Sequence, residues 1–129
     1  MAETPKSMYW QKKGIKRVLT LQFEEGDDIL KGIESAMREN GIHEVNIVEA
    51  TGSIRSGLGN YLNGSQFLTK NFDNSKIKIA AGHFEIKGSI FGVLKIIPAD
   101  LDAHVTVAKA KAVDGMEMKL SYYTYEDSP

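Results

Sequence analysis

One segment of this 129-residue chain carries a helical period, and its own residues close it at both ends. Ile29, Leu30, Ile33, Ala36 and Met37 recur at helical spacing, while Lys31, Glu34, Arg38 and Glu39 fill the remaining positions. Asp27 and Asp28 supply an N-cap and first-turn acids where the backbone amides of a helix lie unpaired. Asn40-Gly41 supplies the left-handed residue that ends one. The spacing predicts a helix over 27–40. A lone amphipathic helix must lay its apolar stripe on another layer, and no second helix is available. The partner has to be a sheet.

The remaining sequence reads as that sheet. From Lys16 to Phe23, Leu19, Leu21 and Phe23 alternate with Val18, Thr20 and Gln22, the period-two signature of a strand. Val45 to Val48 forms a second β-rich run, leading into a glycine loop expected over Ala50–Ser56. Asn63-Gly64 predicts a hairpin turn with positive φ at both central positions. Lys76 to Ile86 alternates again, with Gly82 expected to form a bulge that re-aims His83. Ile90 to Ile97 is almost uniformly apolar, which suits a strand covered on both sides, by the chain itself or by another subunit. Ala103–Val113 and Met116–Tyr125 straddle Asp114-Gly115 and read as a second hairpin. The expected fold is α+β, with six to eight mostly antiparallel strands and one helix packed on them. Residues 1–15 read as an N-terminal arm and 16–129 as a single domain.

Several function classes drop out on composition. There is no cysteine, which excludes disulfides, thiolate metal sites and thiol catalysis. Sixteen basic residues against seventeen acidic ones leave a net charge of -1, so the chain as a whole offers no cationic field to nucleic acid. Lys12, Lys13, Lys16 and Arg17, with Lys109, Lys111 and Lys119, are candidates for a local basic patch, or else solvated strand and edge residues. The opening Met-Ala-Glu-Thr-Pro-Lys reads as neither signal peptide nor lipidation site. Ser89–Ala99 includes Lys95 and is about half the ~20 residues of a membrane helix. A cytoplasmic protein without membrane contact is expected.

Arg55 follows Gly52 among small neighbours, so a guanidinium and approachable amides stand ready for an anion, or for a carboxylate of the chain itself. Gly57-Leu58-Gly59 lacks the third glycine and the following helix of a dinucleotide site. His43, His83 and His104 form no HxH or HxxxH pair. A metal site would have to gather His83 and His104 across strands with Asp100, Asp102 or Glu49, and these histidines read as structural or surface residues. No metal and no cofactor are expected. Tyr122, Tyr123 and Tyr125 read as β-rich strand residues.

The order Arg17-Val18-Leu19-Thr20-Leu21, Gly26-Asp27-Asp28-Ile29-Leu30, Asn40-Gly41, Gly52-Ser53-Ile54-Arg55 and Leu58-Gly59-Asn60-Tyr61 resembles the plants and prokaryotes conserved (PPC) domain family. That resemblance covers about Arg17 to Tyr125. It implies an antiparallel sheet with a packed helix, assembled into homotrimers, which accounts for the apolar Ile90–Ile97 run. It also implies an association with DNA, although the Arg-Gly-Arg-Pro hook of the plant members is missing here. Family histidine clusters that hold a metal have no counterpart on the Gly92–Ile97 strand, and only His104 falls near the later position. The resemblance places a ligand pocket near Gly52, Arg55, His83 and His104. The expected role is a non-enzymatic homotrimeric regulatory module associated with DNA. The alternative is an anion-binding protein or enzyme with its site between subunits.

Overall fold

The computed structural model describes residues 14–125. Among these described residues seven strands and one helix follow in the order β1 (Gly14–Gln22), α1 (Ile29–Glu39), β2 (Glu44–Thr51), β3 (Ser53–Asn63), β4 (Gln66–Lys87), β5 (Ser89–Pro98), β6 (Val105–Ala112) and β7 (Glu117–Tyr125). The strands form one sheet in the order β1-β7-β2-β4-β3-β6-β5, and the pairs are antiparallel. This is the α+β architecture that the sequence predicts.

β4 organises the sheet because it is long enough to do two jobs. Its first half pairs with β3, and its second half lies between β2 and β5. The pairing of β4 with β5 closes a ring β4-β3-β6-β5 around a core that includes Ile54, Phe72, Leu94, Ile96 and Val105. α1 seals this core with Ile29, Ile33 and Met37, all fully buried. Removing each such side chain from water contributes about 1.5–3 kcal/mol.

The helix boundaries follow from local chemistry. Asp28 is the N-cap, its carboxylate accepting from the Lys31 amide at 3.1 Å. At the other end Gly41 turns at φ +64, the Gly41 amide donates to the Arg38 carbonyl and the Ile42 amide to the Met37 carbonyl, a Schellman closure.

Four expectations need correction. The hairpin between β3 and β4 forms, but Asn63 pairs with Gln66, so the turn centres on Gly64-Ser65, one residue later than predicted. Asp114-Gly115 turns the chain without making a hairpin: β6 pairs with β3 and β5, whereas β7 pairs with β1 and β2. The Asp-Gly signal specifies a local bend, and strand partners are chosen by non-local packing. The loop over Ala50–Ser56 is reduced to Gly52 between two strands, so Arg55 lies within β3. Gly82 keeps regular register with Ile47 and Leu94; the ladder with β5 shifts instead between Ile77 and Ile79. Glycine is needed at Gly82 for close approach, since a Cβ there would stand 2.4 Å from the Val93 carbonyl oxygen.

Candidate functional site

Side chains alternate across β2, β4 and β5, so one face of these strands enters the core and the other faces outward. Val45, Ala80, Phe84, Leu94 and Ile96 are the buried set. The register places Glu44 opposite Glu85, Asn46 opposite His83, Val93 opposite His83 and Phe91 opposite Glu85 on the outward set. Ile79 lies on the same outward row of β4, and Val48 lies at the bulge of β2. Four of these outward residues are large and apolar, with exposures of 48% for Val48, 49% for Ile79, 57% for Phe91 and 45% for Val93. Among the described residues β5 is therefore covered on one side only. Exposed apolar side chains gathered on one sheet face are the kind of surface that contacts between proteins use.

A polar group stands at one end of it. His83 Nδ1 lies 2.8 Å from Asn46 Oδ1, and His83 Nε2 lies 3.1 Å from Glu44 Oε2. One ligand atom each of Glu44, His83 and Glu85 falls within 4.8 Å of the others. The backbone beneath them is held tightly: a Cβ on Gly92 would stand 2.0 Å from the His83 carbonyl oxygen. Next to this group, a cavity of about 370 Å³ opens between the end of α1 and β7, lined by His43, Glu44, Asn46, Tyr122, Tyr123 and Tyr125 among others.

The other sequence-derived candidates lie elsewhere. Arg55 pairs with Glu25 at 3.1 Å and donates to Asn74 Oδ1 at 3.0 Å, so its guanidinium is engaged by the chain itself. On β4 the neighbour of Arg55 is Asn74, nine positions before His83, or roughly 30 Å of extended strand. Within one chain Arg55 and His83 do not share a site. Gly52 has its own structural reason: its carbonyl accepts from the Ile77 amide, and a Cβ there would meet Met116 Cα at 2.9 Å. His104 is exposed in the turn before β6 and stands outside the Glu44–His83–Glu85 group. Asp100 pairs with Lys70 at 2.7 Å, and that hydrogen bond, opposed by slight desolvation and helped by the ammonium charge, lowers its pKa. Lys16 and Arg17 are exposed on the edge strand β1, whereas Lys12 and Lys13 lie outside the described residues. Among the described residues no helix is long and apolar enough to cross a membrane.

Sequence reasoning missed Glu44, Asn46 and Glu85. A signal for part of the group was present, since His83-x-Glu85 and Glu44-x-Asn46 each put two polar side chains on one face of a strand. What brings the two pairs together is the register of β2 on β4.

A model of the Plants and Prokaryotes Conserved domain matches residues 11–117. Among curated proteins, none matches the chain. Solved structures with a similar fold include a metal-containing protein from Archaeoglobus fulgidus, with TM-score 0.66, 22% identity, and coverage of 90% of this chain and 85% of that one. A PPC protein from Pyrococcus horikoshii gives TM-score 0.67 at 14% identity, covering 91% and 85%. A proposed DNA-binding protein from Ralstonia eutropha JMP134 gives TM-score 0.56 at 16% identity, covering 90% and 84%.

Proposed function

We propose, since this chain belongs to the Plants and Prokaryotes Conserved domain family, that it works as a non-enzymatic assembly module: a homotrimer joined through the outward face of β2, β4 and β5. The observation that carries this reading is the exposure of Val48, Ile79, Phe91 and Val93 on one side of strands whose other side is core. Cyclic association of identical chains covers such a face on every copy at once and leaves no edge for further growth. Sedimentation velocity tests it. The wild-type chain should sediment as three copies, and Ile79→Glu, which buries a charge in the contact, should sediment as one. A wild type that sediments as a single chain would overturn the reading.

The role associated with DNA comes from the neighbours described as proposed DNA-binding proteins. In this chain the supporting groups are Lys16 and Arg17 on β1, continuing the basic run of Lys12 and Lys13. Contact made by these few cations gives duplex affinity that falls as salt rises and is lost on their joint neutralisation. Absence of any duplex retardation at low salt removes this part of the reading.

A further inference from the structure

We propose that Glu44, His83 and Glu85 form a binding site for one divalent transition-metal ion of the zinc type on each chain. In a neutral imidazole one ring nitrogen carries hydrogen and the other a lone pair. In the tautomer that carries the hydrogen on Nδ1, Asn46 Oδ1, 2.8 Å away, accepts it. Nε2 is thereby left presenting its lone pair to the Glu44 carboxylate 3.1 Å away. Two lone-pair bearers facing each other are joined either by a proton or by a metal ion.

Glu85 decides between a proton and a metal. It stands directly opposite Glu44 in the ladder, and like charges so placed across two strands repel. A single proton on Nε2 offsets one carboxylate. A divalent ion offsets both and takes the imidazole as its third ligand, and the ligand atoms of all three groups lie within 4.8 Å of one another. Metal–ligand bonds of about 2.0–2.1 Å bring tetrahedral ligand atoms to roughly 3.3 Å apart; Glu44 Oε2 and His83 Nε2 already stand at 3.1 Å, and the remaining contraction is asked of the Glu85 side chain.

The donor set selects the ion. One imidazole nitrogen with two carboxylates matches a zinc site with an open fourth position, whereas calcium takes six to eight oxygen ligands and magnesium keeps an octahedral shell of water and oxygen. Asn46 is a positioning residue, fixing the ring tautomer and orientation as the outer-shell partners of metal-binding histidines do. Below the ring, the close contact of Gly92 with the His83 carbonyl holds the strand that carries two of the ligands. All three ligands come from one chain, so the site does not rest on the assembly reading.

The test is calorimetric titration of the full, chelator-stripped chain with zinc chloride, with calcium and magnesium chloride as comparison ions. One zinc per chain should bind, with no comparable binding of the other two. His83→Ala should abolish binding, Glu44→Gln and Glu85→Gln should each weaken it at least tenfold, and Asn46→Ala should weaken it by about 10–100-fold. His43→Ala and His104→Ala should bind as wild type does, and the assembly variant Ile79→Glu should retain the ion. Circular dichroism of each variant reports folding, and the exposed position of Glu44 makes Glu44→Gln the arm that isolates ligation from stability. Zinc uptake that persists unchanged in folded His83→Ala and Glu44→Gln, that vanishes in His104→Ala or Ile79→Glu, or that is absent from wild type would overturn the site.

Discussion

Both faces of the β4–β5 ladder carry large apolar side chains, and these meet opposite fates. Inward, Ala80, Phe84, Leu94 and Ile96 are closed over by the ring of strands and by α1. Outward, Ile79, Phe91 and Val93 stand about half exposed on the same two strands. The lesson is that an apolar strand is not evidence of two-sided cover within its own chain. One face can be apolar for folding and the other for association, and only the first contributes to stability in dilute solution.

That difference can be broken from either side. Leu94→Ala removes a fully buried side chain from the ring and should cost about 3 kcal/mol in urea unfolding, at the level of cavity-forming core changes. Gly92→Ala attacks the backbone between the faces: its Cβ would press on the His83 carbonyl at φ +143, and a loss of about 2 kcal/mol or more is expected by thermal unfolding. Asp28→Ala leaves both faces intact and removes the N-cap of the sealing helix, so about 1 kcal/mol should be lost, read in the same unfolding curves. Ile79→Glu changes only the outward face and should move the stability of the isolated chain by less than about 0.5 kcal/mol while it changes the sedimentation. A large loss of single-chain stability in Ile79→Glu would mean that the outward face belongs to the fold.

Lys70 and Asp100 give the smallest effect and the one with a pH dependence. Lys70 holds the Asp100 carboxyl below its ordinary value, so the ion pair contributes stability above the carboxylate range and loses it as pH falls through the lowered value. The pair is exposed on the Asp100 side, and Lys70→Ala should cost no more than about 0.5 kcal/mol at neutral pH. Below the carboxylate range the variant and the wild type should converge. Unfolding measured across acid pH checks both the size and the sign.

Features set by neighbouring residues were legible from sequence. α1, its Asp28 cap, its Gly41 stop and the β3–β4 hairpin are decided within a few residues of themselves, and all appear where the pattern puts them to within a residue or two. Features set by register were not. Asp114-Gly115 promised a pair of adjacent strands, yet the Phe23–Gly26 segment draws the chain away by bonding both sides of that turn: the Gly26 amide donates to the Ala112 carbonyl before it, and at its exit the Phe23 amide donates to the Met116 carbonyl and the Phe23 carbonyl accepts from the Gly115 amide. Arg55 read as a loop cation for an anion or for a carboxylate of the chain itself; the second holds, and its partner Glu25, thirty positions earlier, could not be named from the sequence. His83 was legible as a candidate through the family resemblance, while its own pattern read as structural or surface. Its partners Glu44 and Asn46 arrive only through the pairing of β2 with β4, which no local pattern encodes.

Native mass spectrometry of the purified chain at micromolar concentration addresses the association face most directly. Bound states of three chains, reverting to single chains in Ile79→Glu, are the predicted spectrum. Single chains of the wild type under the same conditions, with Phe91 and Val93 freely accessible to solvent labelling, would contradict the account.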